Sequence, residues 1–288
     1  MVKKPRHRSP LCSVDELKTL IEQQSVNILD GSWYLPSQNI DCRRAFEQAH
    51  IPGAQFFDID LISDHRSELP HMLPSAEQFA EQVSELGVSN NSEIVIYDTS
   101  GLFSAARVWW MFKVFGHDNV RVLNGGLPSW REQGGKVQTG NNKPLRSSYT
   151  AELKAELVAD KARLIENMAS NEYIVLDARP KERFLGVAPE PRPGLPSGHM
   201  PESISFSAAN LINDGHLVEL DVLKNMFGRH NINASTPVIT SCGSGVTAAI
   251  ITLALTEAGF GLHKLYDGSW AEWACADDTQ IINESRQT

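Results

Sequence analysis

Cysteine is scarce, with four in 288 residues. Cys12, Cys42, Cys242 and Cys275 form no C-x-x-C pair and no zinc-finger spacing, so neither a disulfide scaffold nor a metal site is expected. A reducing cytoplasm fits that usage, and no cofactor is called for. Long apolar runs are missing too: nothing approaches the ~18 residues of a membrane-spanning helix. The first ten residues, Met1 to Pro10, are basic but lack the apolar core of a signal peptide. They read as a solvated tail, with a remnant of an organelle presequence as the alternative. A basic surplus is also absent, since the net charge is −9. That argues against nucleic acid or an anionic membrane as the main partner. With 41% hydrophobic and 21% charged residues, the chain has the composition of a soluble globular protein of one large or two medium domains.

What is present centres on Pro237-Val-Ile-Thr-Ser-Cys242-Gly-Ser-Gly-Val-Thr-Ala-Ala249. β-Prone residues run into Cys242, Gly243-Ser244-Gly245 turns the chain, and an apolar helix is expected from about Val246 to Ala258. The cysteine therefore precedes a helix N-terminus, where free N–H groups and the helix dipole favour negative charge. A thiol so placed is expected to ionise more readily and to act as a nucleophile. A buried structural cysteine is the ordinary role of this residue type, and the glycines that follow Cys242 favour the reactive one. The loop also fits G-x-G-x-x-A, a dinucleotide-binding pattern, with Asp267 22 residues past Gly245. Only 43 residues follow Gly245, too few to complete such a domain. A cysteine phosphatase would need an arginine where Ala248 stands, and no G-x4-GK[ST] occurs.

The chain repeats itself. Asp30 ends the strand predicted from Val26, and Asp177 ends the one predicted from Tyr173, 147 residues later. His50 and His199 open equivalent turns 149 apart, Asp98 and Cys242 lie 144 apart, and Asn124 and Asp267 lie 143 apart. The remaining expected elements of the first half are helices from Ser13 to about Gln24, Ala76–Leu86 and Ser104–Phe115. Strands are expected ending near Asp60, at Tyr97 and over Val120–Leu123. Strands alternating with helices imply an α/β fold with a parallel sheet and helices on both faces in each half. Residues 1–140 form a first domain, 141–158 a linker, and 159–288 a second domain. Ligands of such sheets sit at the carboxyl ends of strands, where Cys242 lies. Asp98 takes its place in the first half, so only one half carries a nucleophile. His50 and His199, repeated regardless of the nucleophile, read as structural. Arg179 beside Asp177 reads the same way, and Trp109, Trp110, Trp270 and Trp273 read as packing residues.

From about Leu29 to Trp273 the chain resembles the tandem rhodanese-domain sulfurtransferases. The likeness rests on His50-Ile-Pro-Gly-Ala-Gln-Phe-Phe-Asp-Ile-Asp60, Arg107-Val-Trp-Trp-Met-Phe112, Gly198-His-Met-Pro201 and Tyr266-Asp-Gly-Ser-Trp-Ala-Glu-Trp273. The loop Cys-Gly-Ser-Gly-Val-Thr is similar to that of the branch acting on 3-mercaptopyruvate. Thiosulfate-preferring members typically carry Arg and Lys where Gly243 and Ser244 stand. The resemblance implies two rhodanese-like domains and an enzyme in which Cys242 takes sulfur as a persulfide. It then passes the sulfur to cyanide or a thiol such as thioredoxin, releasing pyruvate. A persulfide anion needs a cradle of backbone N–H groups, which falls on Gly243, Ser244, Gly245, Val246 and Thr247. An α-keto carboxylate suits the planar fork of arginine, and the resemblance assigns that clamp to Arg183 and Arg192. It assigns proton handling to Ser244, His71 and Asp60. Taken without it, the two arginines read as solvated loop residues and His71 as a turn residue. Two other functions stay open: thiosulfate sulfurtransferase, and a persulfide-carrying binding module without turnover.

Overall fold

The computed structural model describes residues 8–286. The reading of Met1–His7 as a solvated tail thus lies outside the described residues. Arg8 to Pro10 do not belong to a free tail. Arg8 donates to Asn119 Oδ1 (2.7 Å), Ser9 Oγ donates to Glu257 Oε2 (2.6 Å), and the Pro10 carbonyl accepts from Val122 N–H (2.8 Å).

The first half holds strands β1 (Leu11–Cys12), β2 (Asn27–Asp30), β3 (Gln55–Phe56), β4 (Ile94–Tyr97) and β5 (Val120–Leu123). Its helices are α1 (Val14–Glu22), α2 (Cys42–Gln48), α3 (Ala76–Glu85), α4 (Ala105–Val114) and α5 (Gly126–Glu132). The second half holds β6 (Val158–Ala159), β7 (Ile174–Asp177), β8 (Ser203–Ser205), β9 (Ile212–Asn213), β10 (His216–Leu217), β11 (Val238–Ser241) and β12 (Lys264–Tyr266). Its helices are α6 (Lys161–Ser170), α7 (Lys181–Phe184), α8 (Leu220–Gly228), α9 (Ala248–Glu257) and α10 (Ser269–Trp273). Among the described residues no helix is long and apolar enough to cross a membrane.

The two main sheets have the same order. β1-β5-β4-β2-β3 and β6-β12-β11-β7-β8 are both parallel throughout. Register repeats as well: Asp30 pairs with Tyr97, and Asp177 with Ser241. Asp98 and Cys242 therefore occupy the same place, one residue past the central strand. Residues 141–154 contain no helix or strand and run along the first half. Ser147 N–H donates to the Ser84 carbonyl (3.0 Å) and Lys154 N–H to that of Val114 (2.7 Å).

Side chains alternate across each strand, and both faces are buried. Ile28, Val95 and Tyr97 point into an outer core with Leu17, Phe46 and Trp130. Val175, Ile239 and Tyr266 point into another with Leu164, Trp270 and Trp273. The opposite faces, through Leu29, Ile96, Leu176 and Val238, share one central core with α4 and α9. Those two helices, one from each half, pack on each other. Nearly every residue of both is buried, as expected of helices apolar on all sides.

Two expected boundaries move. The strand placed near Asp60 ends at Phe56, because residues from Asp58 onward turn: Asp58 accepts from Leu61 and Ile62 N–H. The helix placed from Val246 begins at Ala248, leaving Val246 and Thr247 in the turn after Cys242.

Candidate active site

The loop after β11 has donors to spare. Among the described residues, no protein group accepts from the N–H of Gly243, Ser244, Gly245, Val246 or Thr247. The Cys242 N–H donates to Ser269 Oγ (3.2 Å), and the carbonyls of Cys242 and Gly243 accept from Trp270 and Ala271 N–H (both 3.0 Å). So α10 grips the loop by its carbonyls and leaves the N–H side open to an anion at Cys242. Cys242 is 2% exposed at the floor of a cavity of about 590 Å³ between the halves.

The first half shows what such a cradle wants. Asp98 Oδ1 accepts from Ser100 N–H (2.9 Å), and Oδ2 from Phe103 (2.7 Å) and Ala105 N–H (2.9 Å). A carboxylate of the chain itself thus takes the N–H donors of this loop, whereas those of the loop after Cys242 have no protein acceptor among the described residues. Its surroundings are closed as well: a Cβ on Gly101, which has φ +101°, would meet Gly215 Cα at 2.5 Å in the β9–β10 hairpin.

Arg183 and Arg192 both line the cavity with Cys242. Glu190, buried, accepts from Arg179 Nη1 (2.8 Å) through Oε1 and from Arg183 Nε (3.1 Å) through Oε2. Arg179 also binds Asp177 (2.6 Å) and lies over the Trp270 ring (4.2 Å), which makes it structural. The Arg183 guanidinium would sit 3.2 Å from a Cβ at Gly243, so the loop glycine makes room for it. Burial holds Arg192 below its ordinary range, opposed by the nearby Cys242 sulfur.

His71 Nδ1 lies 3.0 Å from Asp60 Oδ1, at ion-pair distance but poorly aligned for a hydrogen bond. Asp60 Oδ2 accepts from Trp33 Nε1 (3.1 Å). His71, and then Trp33, hold the Asp60 carboxyl below the usual carboxylate range against its partial burial. Nε2 faces Arg192 Nη2 (3.3 Å). The structure thus joins Asp60, His71 and Arg192, while Ser244, 7% exposed in the cavity wall, makes no hydrogen bond to His71. The expected Ser244–His71–Asp60 relay is therefore open at its serine end.

Sequence reasoning gave no role in the site to Arg107, which reaches it from α4. Its Nη2 donates to the His71 carbonyl (2.5 Å) and to Asp267 Oδ1 (2.7 Å), and its Nη1 lies 3.5 Å from the Gly245 carbonyl. Gly245 has φ +77°, and a Cβ there would meet Arg107 Nη1 at 2.9 Å. Asp267 Oδ2 accepts from Leu73 N–H (2.8 Å). The cysteine loop and the histidine segment are thus pinned to each other across the two halves. Glu190, Trp33 and Ser269 were also missed. Their signal is three-dimensional, except that Asn124 and Asp267, already paired by the repeat, mark both pinning points. Asn124 Oδ1 accepts from Leu217 N–H (2.9 Å), as Asp267 does from Leu73.

The rhodanese-like domain profile matches residues 13–133 and again 160–276. The chain belongs to the rhodanese-like family. Among rhodanese-like relatives, it is 41% identical to thiosulfate/3-mercaptopyruvate sulfurtransferase 2 of Arabidopsis thaliana, over 96% of this chain and 87% of that protein. It is 41% identical to the 3-mercaptopyruvate sulfurtransferase of Mus musculus, over 94% and 93%. The crystal structure of the 3-mercaptopyruvate sulfotransferase SseA from Escherichia coli superposes with a TM-score of 0.84 at 35% identity, covering 91% of this chain and 99% of that one. Both rhodanese-like domains are accounted for by the two repeated sheets.

Proposed function

We propose that the protein is a 3-mercaptopyruvate sulfurtransferase. The Cys242 thiolate attacks the thiol sulfur of the donor. A sulfur–sulfur bond forms, the carbon–sulfur bond breaks, and its electron pair leaves as the pyruvate enolate, which takes a proton to give pyruvate. Ser244 is the cavity hydroxyl nearest this chemistry in sequence, and His71 with Asp60 stands behind Arg192 as the proton reserve. Arg183 and Arg192 hold the carboxylate and carbonyl. A thiol, such as thioredoxin or a small thiol, or cyanide then takes the outer sulfur. The observation that carries this reading is a run of free N–H donors around Cys242 facing two arginines, set beside a first half whose equivalent cradle is filled by Asp98. The names of the relatives support the donor. Four free cysteines support a reducing compartment, the cytoplasm. We read residues 1–140 as the domain without nucleophile, 141–158 as the linker, whose last residue Val158 already pairs in the second sheet, and 159–288 as the catalytic domain.

Thiosulfate is the second reading, since one relative's name includes it. Gly243 and Ser244 bring no cation to a doubly charged donor, which ranks it below 3-mercaptopyruvate. A binding module without turnover is disfavoured by the intact Cys242, Arg183 and Arg192. The test is pyruvate release from 3-mercaptopyruvate against thiocyanate formation from thiosulfate, with cyanide as common acceptor. A higher kcat/KM for 3-mercaptopyruvate is expected. A preference for thiosulfate would move the protein to the second reading, and no turnover of either to the third.

A further inference from the structure

The cavity over Cys242 is far larger than the proposed donor requires. At about 590 Å³ it lies in the range that takes a drug-sized molecule, whereas 3-mercaptopyruvate is a three-carbon acid. Its charge is also confined to one stretch of the chain. Arg179, Arg183, Glu190 and Arg192 all come from that stretch, and the rest of the lining contributes no charged residue. The uncharged lobe includes Leu35, Pro36, Leu102, Phe103, Ile212 and Ile250.

The lobe is built rather than incidental. Phe103 stacks with Trp33 (ring centroids 6.4 Å apart). The Phe103 N–H is held by Asp98 (2.7 Å), and Leu102, beside it, is 3% exposed. Ile212 opens the hairpin that closes over Gly101. The first half's filled cradle therefore fixes the part of this apolar lining that Leu102 and Phe103 supply. An anionic donor has no use for that wall, and a ping-pong enzyme must next admit a second substrate to the same sulfur.

We propose that this lobe holds the body of the sulfur acceptor, and that the preferred acceptor is a small thiol bearing an uncharged apolar group. The proposal rests on the Cys242 persulfide reading above. The acceptor thiolate attacks the outer sulfur, a new sulfur–sulfur bond forms on the acceptor, and the bond to Cys242 Sγ breaks with its electron pair. Cys242 returns as the thiolate and the acceptor leaves as a persulfide, with no external oxidant or reductant. The apolar group stays out of water against Phe103 and Ile212.

The test loads the full-length enzyme with 3-mercaptopyruvate, counts pyruvate released and confirms the added sulfur by mass spectrometry. Discharge is then timed with benzyl mercaptan, 2-mercaptoethanol, 3-mercaptopropionate and reduced thioredoxin, each rate normalised to its thiolate concentration. Failure to load would defeat the persulfide reading itself, separately from the acceptor proposal. With loading in hand, benzyl mercaptan is expected to discharge the enzyme roughly tenfold or more faster than 2-mercaptoethanol. Phe103→Ala and, separately, Ile212→Ala are expected to shrink that ratio several-fold. Equal rates for the two thiols would overturn the proposal. So would fastest discharge by 3-mercaptopropionate, which would mean that the vacated arginines receive acceptors. A reduced thioredoxin that outpaces three mutually equal small thiols would overturn it in favour of a protein acceptor. The wild-type comparison stands even if a variant fails to fold.

Discussion

At the scale of single residues, the four cysteines separate cleanly. Burial pushes the Cys12 thiol up to about 11 and raises that of Cys42, so both are poor nucleophiles. Cys275 is exposed but has no cradle, and Cys242 has one. Cys242→Ser is expected to abolish transfer while Cys12→Ser, Cys42→Ser and Cys275→Ser leave it. Peptide mass spectrometry after donor alone should find the extra sulfur on the Cys242 peptide, and finding it elsewhere would sink the assignment. Arg183→Lys keeps the charge but loses the forked geometry that Glu190 holds in place. Loss of a charged hydrogen bond should lower kcat/KM for 3-mercaptopyruvate about ten- to hundredfold, mainly through KM; unchanged kinetics would return Arg183 to the solvated surface. Asp30 shows what the first half has lost. Its counterpart Asp177 is neutralised by Arg179, but Asp30 has Ser32 at the matching place, and burial raises its carboxyl to about 6 from 3.8. The folded state then binds a proton that the unfolded chain releases at lower pH. This group's favourable contribution is therefore present below about 4 and lost as pH rises to about 6. Asp30→Asn should gain stability relative to wild type on going from pH 4 to 7, on the order of 2–3 kcal/mol in urea titrations. A pH-independent difference would refute the cause. The cysteine and both arginines were legible in sequence because their chemistry or their resemblance marks them. Arg107 was quoted only as part of a likeness, since nothing local tells a buried arginine from a surface one.

At the scale of elements, the two cradle loops are the same device used twice. Each follows the central strand of its sheet and leads into an apolar helix, α4 or α9. The sequence reveals the device through the 144-residue spacing of Asp98 and Cys242. It misplaces the start of α9 by two residues because Thr247 already has helical backbone angles, φ −76° and ψ −17°, and only the positive φ of Gly245 ends the turn before it. The difference is who supplies the anion. In the first half Asp98 does so permanently, which gives the loop a structural role: it fixes Leu102 and Phe103. Asp98→Ala would leave three N–H donors without their acceptor, the buried one of Ala105 and the part-buried ones of Ser100 and Phe103, at about 1–3 kcal/mol for the buried donor and less for the other two. A loss of roughly 3 kcal/mol or more is expected in urea unfolding, with Asp98→Asn losing less because it retains an acceptor oxygen. Equal stability of wild type and Asp98→Ala would mean that water or another group satisfies the loop, and that the cradle account is wrong.

At the scale of the whole molecule, duplication was legible and the union of its halves was not. Spacings show that a unit occurs twice; they do not show that α4 and α9 have no polar face. That property decides the assembly. Both helices are buried on nearly every side, and here each covers the other inside one core that draws on both sheets. The same joint carries the site. Arg107 of the first half binds Asp267 of the second and the His71 carbonyl, so His71 and the Gly245 turn keep their geometry only while the halves stay docked. Unfolding should therefore be one cooperative event in which activity and packing vanish together. Leu253, buried in α9, tests this, because Leu253→Ala removes side-chain volume from the shared core at a typical cost of about 2–5 kcal/mol. Four of the six tryptophans, Trp109 and Trp110 of α4 among them, lie in the other half, so most of the indole fluorescence reports on it. In urea, the variant's transitions followed by that fluorescence and by pyruvate release should shift together to lower denaturant and remain superimposed. If activity disappears while most of the indole signal keeps its wild-type midpoint, the halves unfold separately. The interface would then be a contact between independent domains rather than a core that both complete.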